Sequence, residues 1–303
     1  MSHTGYSALK ISRRTAFVVV KASGENILAY LQGQITQDIN KLTFDQALYA
    51  AVLTPQGKAV TDFYLLLTQH KGNWAEVMFL CPQEFTVALI ERIRMFALGH
   101  DLRIGKVSSW EVVSAQGIDV DTALAKQGLP VPASGYLAAA NQSDIFALRM
   151  IESAWDGVWL MGANIPLQSN VDEAIMEQGR ILRGIPMLGV DWDVKLHPLN
   201  ANLIERQGVS FDKGCYVGQE VTSRMQWRGG IKKKLYRVLL DERVDVPCPV
   251  LTSVKVGDVT SLAQNGDGSY QGIALLPIEV VDAERKLVVE SGGSVVVLGG
   301  CGE

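Results

Sequence analysis

Short apolar runs in the first hundred residues predict an antiparallel sheet. A run of β-branched and aromatic residues predicts a strand at residues 15–21. Two further strands are predicted at residues 47–54 and 59–69, and the segment 55–58 between them contains the proline and the glycine of a tight turn. These two strands should therefore form a hairpin. A fourth strand is predicted at residues 74–80.

Helical spacing of apolar residues predicts three helices beside these strands. The apolar positions are Ile27, Leu28, Leu31 and Ile35 in the first helix, Phe85, Ala88, Leu89, Ile93 and Phe96 in the second, and Val171, Ile175 and Leu182 in the third. Ser23 is the expected cap of the first helix, and the second should span residues 83–98. The third should run over residues 170–183, with Asn170 as its cap and Gly184 at its end.

The pattern changes at residue 229 to short strands separated by turn residues, which predicts a small antiparallel barrel. Its predicted strands are residues 235–240, 250–256, 259–263, 271–276, 286–289 and 294–298. Between the first sheet and the barrel, the predicted elements are a strand at 106–113, a helix at 119–126 and strands at 145–150 and 158–161. Hairpins mixed with helices favour the α+β class. We expect a first lobe at 1–105 rejoined by 200–228, a second lobe at 106–199, and a barrel domain at 229–303.

Composition and charge narrow the class of protein. The chain has 303 residues, 48% of them hydrophobic and 20% charged, which is an ordinary globular composition. A net charge of −4 gives no broad basic field, so we expect no nucleic-acid partner; the run Lys232-Lys233-Lys234 is interpreted as a solvated strand entry. No apolar stretch reaches the length of a membrane span, and residues 1–6 lack the features of a secretory signal. We therefore expect a cytoplasmic protein without a membrane partner.

Cysteine and histidine positions give no support for a metal site. The four cysteines and four histidines are widely scattered and have none of the paired spacings of zinc sites. No glycine-rich nucleotide-binding motif occurs. We expect no bound metal.

The candidate functional residues are concentrated in residues 211–230. Cys215 lies between Gly214 and Gly218, and Lys213 precedes it by two residues. Apolar spacing after Gly218 predicts a helix, so Cys215 would lie just before a helix N-terminus. A helix N-terminus and a nearby lysine both favour a thiolate. The alternative is a small buried cysteine with a packing role only.

The same stretch carries a family resemblance. The consecutive residues are Lys213-Gly214-Cys215-Tyr216-Val217-Gly218-Gln219-Glu220, with Arg224 and Arg228-Gly229 after them. They resemble the signature of the YgfZ family, folate-binding relatives of the glycine cleavage system T-protein, an aminomethyltransferase. Residues 30–38, 53–58 and 202–203 resemble segments of the same family in the same order. The resemblance implies a T-protein-like α+β fold in which two mixed lobes form a folate-binding cleft and a small antiparallel barrel follows.

The resemblance also implies a cofactor and a set of site residues. The cofactor would be tetrahydrofolate or another reduced folate, and the catalytic candidates are Cys215 and Asp62. Asp62 falls at or beside the catalytic aspartate of the T-protein hairpin; a strand edge facing water is its alternative role. The candidate cofactor-binding residues are Lys213, Gly214, Tyr216, Gly218, Gln219, Glu220, Arg224, Trp192 and Asn202. Trp192 would either stack on an aromatic ligand or plug a lobe interface, and we expect Asp62, the Trp192 loop and the motif to line one cleft.

One residue departs from the T-protein pattern. Leu182 stands where the T-protein has a glutamate that anchors the pterin ring, and leucine cannot accept a hydrogen bond from the pterin amino groups. Arg180 and Arg183 are candidates to meet the folate glutamate tail instead, with surface arginines as the alternative interpretation. We therefore expect weaker folate binding than in a T-protein.

Three functions remain open at this point. The first is a folate-binding accessory factor for the assembly or repair of iron–sulfur clusters, whose partners would be iron–sulfur enzymes or cluster-assembly proteins. The second is a folate-dependent one-carbon transferase like the T-protein, which Asp62 favours. The third is a scaffold that binds a partner protein without catalysis.

Overall fold

The computed structural model describes residues 9–150 and 157–302. The N-terminal segment considered above for a signal lies outside the described residues. Within them the chain forms two five-stranded sheets and a closed six-stranded barrel. None of the described helices is long and apolar enough to span a bilayer. The α+β class with a C-terminal antiparallel barrel is confirmed.

Strands and helices are numbered in chain order. The strands are β1 (Lys10–Arg13), β2 (Phe17–Glu25), β3 (Leu48–Leu53), β4 (Ala59–Lys71), β5 (Trp74–Pro82), β6 (Leu102–Lys106), β7 (Glu111–Gln116), β8 (Ala139–Gln142), β9 (Ile145–Met150), β10 (Gly157–Gly162), β11 (Lys233–Leu240), β12 (Cys248–Leu251), β13 (Lys255–Gln264), β14 (Tyr270–Pro277), β15 (Leu287–Val289) and β16 (Ser294–Gly300). The α-helices are α1 (Ile27–Gln32), α2 (Thr86–Met95), α3 (Val120–Lys126), α4 (Glu173–Arg183), α5 (Gln219–Trp227) and α6 (Ile278–Asp282). Short 3-10 helices occur at Ile39–Lys41, Gln83–Phe85 and Pro198–Ala201.

The first sheet has the order β3-β4-β5-β2-β6 and is antiparallel throughout. The predicted hairpin is present as β3 and β4. Alternate residues of each strand lie on opposite faces: Phe63 and Leu65 pack on the side of α1 and α2, while Tyr64 and Leu66 face the second sheet. Asp62, two residues before Tyr64, is therefore directed between the sheets.

The second sheet has the order β1-β7-β10-β9-β8. Strand β1 joins it by pairing with β7 and so lies apart from the sheet that β2 enters. One face, which includes Leu148 and Trp159, packs on the first sheet. The other face packs on α3. The two sheets thus share a buried layer, and Asp62 borders it.

The barrel is attached to the rest of the molecule through a cluster of buried residues. It closes in the order β11-β14-β13-β12-β15-β16 around its own core. A second cluster joins Leu235 and Ile273 of the barrel to Ile181 of α4 and to Trp192 and Ala201 of the following segment. The barrel therefore packs on α4 and on the chain that leads to the cysteine motif.

Two predicted helix starts were wrong. Ser23 does not cap α1, because β2 continues its pairing with β5 as far as Glu25 and the helix begins only at Ile27. Asn170 does not cap α4, which begins at Glu173. The Asn170 side chain instead accepts a hydrogen bond from Ile11 N at 2.7 Å, which links β1 to the segment before α4. In both places pairing with a distant strand outweighs the local capping preference.

The buried faces of two helices also differ from prediction. In α4 the fully buried residues are Met176, Arg180 and Ile181, whereas Leu182 is only partly covered. Helix α2 ends at Met95, and Phe96 beyond it is 40% exposed. A polar residue thus occupies the buried face of α4, because Arg180 has carboxylate partners there.

Two predicted strands are divided by turns. The predicted strand at 106–113 is in fact the end of β6 and the start of β7, so the chain leaves the first sheet and enters the second within it. The predicted strand at 250–256 is β12, a turn and the start of β13. Apolar periodicity does not reveal these breaks because apolar residues also occur within the turns, at Val107 and Trp110 in the first and at Val254 in the second.

Candidate functional site

A cavity of about 340 Å³ lies where the two sheets and the barrel meet. We call it the central cavity. Its lining residues are Tyr64, Tyr136, Met150, Arg183, Gly184, Ile185, Glu205, Arg206, Gln207, Arg237 and Gly302. A second cavity of about 410 Å³ shares Tyr136 and Gln207 with it. A site bordered by three structural units is a common place for a small-molecule ligand.

Positive charge predominates in the central cavity. Arg183, Arg206 and Arg237 line it, and Glu205 is the carboxylate among its lining residues. Glu205 forms a salt bridge with Lys234 of β11. The Nε atom of Arg237 is buried without a hydrogen-bond partner in the described part of the chain. The cavity is therefore suited to an anionic ligand, because arginine binds carboxylates through paired hydrogen bonds.

A buried network fixes Arg206 at one wall of the cavity. Its guanidinium lies 3.8 Å from Asp62 and donates hydrogen bonds to the hydroxyl oxygens of Tyr49 and Tyr64. The Tyr49 hydroxyl in turn donates to Asp62 Oδ2 at 2.6 Å. The backbone carbonyl of Arg206 accepts a hydrogen bond from the Tyr136 hydroxyl at 3.2 Å. The Arg206 guanidinium is thereby held in one orientation by partners from the hairpin of β3 and β4.

Asp62 belongs to this network and not to the lining of the central cavity. It borders an adjoining space of about 20 Å³, which has room for about one water molecule. Burial raises the pKa of Asp62, and the nearby Arg206 opposes that rise. The geometry makes Asp62 a residue that positions Arg206.

Lys213 attaches the cysteine motif to the first lobe. Its ammonium group is buried and donates to the carbonyl oxygens of Ile35 and Gln37, each at 2.8 Å. It also lies 5.0 Å from the ring centre of the buried Tyr216. Burial lowers the pKa of Lys213 to about 8, although Asp38 opposes this. Lys213 therefore holds the chain in place through contacts with backbone oxygens.

Gly218 fixes the start of α5, as the sequence predicted. It has a φ of +87°, which glycine tolerates better than other residues. A Cβ atom there would lie 2.8 Å from both Leu53 Cβ and Thr54 O, so the motif approaches β3 closely. Gln219 is the first residue of the helix, and Gly214 and Cys215 before it are exposed. Glu220 and Arg224 are also exposed, and no salt bridge joins them among those of the described residues.

Trp192 and Asn202 lie at the junction with the barrel. Trp192 is 5% exposed and packs in the cluster that contains Leu235 and Ile273, which agrees with the plug interpretation. Asn202 is fully buried and bonds to the backbone of Leu235 and Cys301. Neither side chain lines the central cavity.

Arg180 is likewise a structural residue and not a surface arginine. It is 3% exposed, and its guanidinium bonds to Asp191 Oδ2 at 2.6 Å and to Glu177 Oε2 at 2.7 Å. Asp191 also accepts a hydrogen bond from Thr260 of the barrel at 2.9 Å. Of the two arginines considered for the folate tail, Arg183 lines the central cavity.

The structure thus separates residues that the sequence analysis expected in one cleft. None of the residues 213–220 lines the central cavity or the two spaces beside it, whereas Arg206 lines the central cavity and Asp62 lines the adjoining small space. Sequence reasoning missed Tyr49, Tyr64 and Arg206. The register of the predicted hairpin could have indicated the two tyrosines, because Tyr49 pairs directly with Tyr64 across β3 and β4.

Comparison with known proteins identifies the fold first. The chain superimposes on the glycine cleavage system aminomethyltransferase T from Bartonella henselae with a TM-score of 0.81 and 14% identity, over 97% of this chain and 86% of that one. The T-protein-like fold is therefore confirmed. No family model matches the sequence.

Sequence relatives then make the relationship more specific. The chain is 28% identical over 278 residues to the tRNA-modifying protein YgfZ of Vibrio vulnificus strain YJ016, covering 86% of this chain and 81% of that protein. It is 24% identical over 277 residues to the protein of the same name from Hamiltonella defensa, covering 87% and 77%. An uncharacterised protein of Haemophilus influenzae is 26% identical over 267 residues, which are 84% of each chain. The resemblance to YgfZ proteins is confirmed: the chain has YgfZ homologues over most of its length.

The exposure of Cys215 leads to a prediction on thiol reactivity. We expect iodoacetamide to label Cys215 well before the other cysteines at pH 7.5. Cys81 and Cys301 are fully buried, and burial raises the pKa of both thiols, that of Cys81 to about 12. Cys248 is partly buried, and burial raises its pKa as well. Mass-spectrometric mapping over time would show the order; equal labelling of all four cysteines, or an inert Cys215, would exclude a role as a reactive thiol.

Proposed function

We propose that this protein binds a reduced folate in the central cavity and acts as an accessory factor for the assembly or repair of iron–sulfur clusters in target enzymes. The observation that carries the proposal is the central cavity itself. It combines aromatic walls with three arginines, and it lies at the three-way junction of a T-protein-like fold. Its volume is within the range of small-molecule sites.

The lining residues match the chemistry of a folate. Tyr64, Tyr136 and Met150 offer apolar surface for the pterin and benzoyl rings, while Arg183 and Arg237 supply positive charge at the cavity wall for its carboxylates. Arg237 is one of these cavity arginines, and its buried Nε atom has no hydrogen-bond acceptor in the described part of the chain. These residues would bind and orient the ligand; the one-carbon and redox chemistry of a reduced folate would be supplied by the folate itself.

Leu182, in place of an acidic residue, lowers the expected affinity for folate. Its backbone carbonyl accepts a hydrogen bond from Gln271 of the barrel at 2.6 Å, and its side chain has no polar atom for the pterin ring. A hydrogen bond to a charged group contributes about 1.5–3 kcal/mol. Without that anchor, we expect a dissociation constant that is roughly micromolar or weaker.

The iron–sulfur role rests on the YgfZ relationship and on the exposed thiol. YgfZ relatives of this chain are named tRNA-modifying proteins. A factor that maintains an iron–sulfur enzyme of tRNA modification would influence that modification without catalysing it. Cys215 would be the group that contacts the client or its cluster, because it is exposed while the folate cavity lies elsewhere.

A one-carbon transferase is the alternative, and Asp62 is the residue that favours it. In this structure Asp62 is engaged by Tyr49 and Arg206 beside a space of about 20 Å³, which leaves no room there for a second substrate. Multiple turnovers of methylenetetrahydrofolate from an aminomethyl-protein donor would favour the transferase over the accessory factor.

A calorimetric titration tests the proposed ligand. We expect 5-formyltetrahydrofolate to bind the wild type, and Arg237→Ala to weaken binding by about tenfold or more, because a charge-assisted hydrogen bond is lost. Arg103→Ala is the matched control: Arg103 is an exposed arginine of β6, and its removal should leave the affinity unchanged. Absence of binding at millimolar folate would support the scaffold instead. Equal losses in both variants would place the folate outside the central cavity.

A further inference from the structure

Helix α5 and the residue that follows it place a row of exposed and partly exposed side chains on one face. Positions three and four apart lie on the same side of a helix. Here they place five residues along a shallow depression of about 420 Å³, and we call them the α5 stripe: Glu220, Ser223, Arg224, Trp227 and Arg228. The opposite side of α5 is the attached one, since Thr222 is buried and Met225 packs at the edge of the core between the sheets.

Trp227 is the unusual member of the α5 stripe. It is 71% exposed, although tryptophan is a large apolar residue that is normally mostly covered. Phe211 contacts it edge-on, with ring centres 5.9 Å apart and an interplanar angle of 67°. This contact supports the indole from one side and leaves a flat aromatic surface open to a ligand.

Cations precede and follow this tryptophan along the chain. Arg224 lies one turn before it on the helix, Arg228 follows directly after the helix, and Lys232 and Lys233 come next in the exposed chain. None of the four forms a salt bridge among those of the described residues. Lys234 differs, because it pairs with Glu205. The protein has a net charge of −4, but this part of its surface is positive. Glu220 is the one carboxylate of the α5 stripe.

We propose that the α5 stripe binds a single-stranded RNA segment, with a base stacked on Trp227 and the flanking phosphates held by Arg224, Arg228 and the two lysines. Single-stranded nucleic acid is recognised by this combination of an exposed aromatic ring and a cationic track. Unstacked RNA bases are available for such contacts, whereas those of a duplex are not.

The composition of the surface favours RNA over a protein partner. Tryptophan and arginine are common in protein–protein interfaces, but lysine and glutamate are depleted there. Here Glu220 lies in the α5 stripe, and Lys232 and Lys233 follow it in the exposed chain. Trp227 is the one apolar residue of the stripe. Charge complementarity therefore indicates a phosphate-bearing ligand. The expectation of no nucleic-acid partner rested on the net charge and on the interpretation of Lys232-Lys233-Lys234 as a solvated strand entry; RNA binding at the α5 stripe would be an exception to it, and it does not depend on folate binding.

Fluorescence anisotropy with the full-length protein tests the proposal. The probe is a fluorescein-labelled, mixed-sequence RNA of about 12 nucleotides without self-complementarity, compared with the same RNA annealed to its complement. We expect the single strand to bind more tightly than the duplex. Trp227→Ala should weaken the complex about tenfold or more, and Trp227→Phe should retain most of the affinity. Arg224→Ala with Arg228→Ala should reduce the slope of log affinity against log salt by about 1.4.

A charge-matched control separates a specific site from general attraction. The double variant Arg103→Ala with Lys106→Ala also removes two exposed cations, from β6 of the first sheet, and should leave RNA binding almost unchanged. The proposal is overturned if wild type does not bind the single strand at low salt, if it prefers the duplex, or if the control weakens binding as much as the stripe variants. Trp227→Ala should bind folate with the wild-type affinity, so the experiments test RNA binding and folate binding separately.

Discussion

Replacing Arg206 with methionine is expected to destabilise the protein by about 3–5 kcal/mol at pH 7.5, because it leaves the buried carboxylate of Asp62 without its cation. Arg206 and Asp62 are 7% and 6% exposed and lie 3.8 Å apart. The hydroxyl oxygens of Tyr49 and Tyr64 would also lose the hydrogen bonds that they accept from the guanidinium. Urea denaturation of both proteins measures the difference.

The pH dependence of this destabilisation tests its cause. Burial already raises the pKa of Asp62, and removal of Arg206 should raise it further. The folded variant then binds a proton more readily than the unfolded chain, so its stability should increase as the pH falls from 7.5 towards 5. Adding Asp62→Asn should restore part of the stability at pH 7.5, since it removes the unpaired charge. A loss below about 1 kcal/mol, or no recovery in the double variant, would contradict the proposed network.

Replacing Asn202 with alanine should have a second large effect, on the attachment of the barrel. Asn202 Nδ2 donates to Leu235 O at 3.0 Å and to Cys301 O at 2.9 Å, and Oδ1 accepts from Leu235 N at 2.9 Å. Leu235 O would keep its hydrogen bond from Cys301 N at 3.0 Å, whereas Leu235 N and Cys301 O would lose this partner, and each buried group that loses its partner costs about 1–3 kcal/mol. We expect the free energy of unfolding to fall by about 2–6 kcal/mol, measured by urea denaturation.

A companion variant separates hydrogen bonding from backbone strain at this position. Asn202 has a φ of 61°, a conformation that glycine adopts freely and alanine does not. Asn202→Gly should therefore lose the hydrogen bonds but avoid the strain, and it should lie between wild type and alanine in stability. If glycine restored wild-type stability, the effect would come from the backbone conformation and not from the link to the barrel.

Local patterns predicted much of the fold because many of its strands are short apolar runs that are separated by turn residues. The hairpin of β3 and β4 was predicted from apolar runs on both sides of a Pro/Gly turn, and the barrel from short strands between turn residues. Element starts were less predictable. Ser23 has a good local preference for a helix cap, but its strand pairs with β5, and sequence spacing contains no information on that partner.

The site was predictable only where it is local in sequence. The glycine before α5 and the helix after it follow directly from residues 218–227. The central cavity does not, because its walls come from Tyr64, Tyr136, Arg206 and Arg237, which are far apart along the chain. Trp227 and its neighbouring arginines were visible in the sequence, but their exposure depends on which side of α5 packs on the protein.

We expect a reduced folate to occupy the central cavity, apart from the cysteine motif. Hydrogen–deuterium exchange with and without saturating 5-formyltetrahydrofolate tests it most directly, because amides beside a bound ligand exchange more slowly. We predict slower exchange in residues 134–137, 183–187 and 204–208, which contribute to the cavity walls. Exchange in residues 213–220 should stay the same. Protection confined to residues 213–220, with the cavity walls unaffected, would contradict the account.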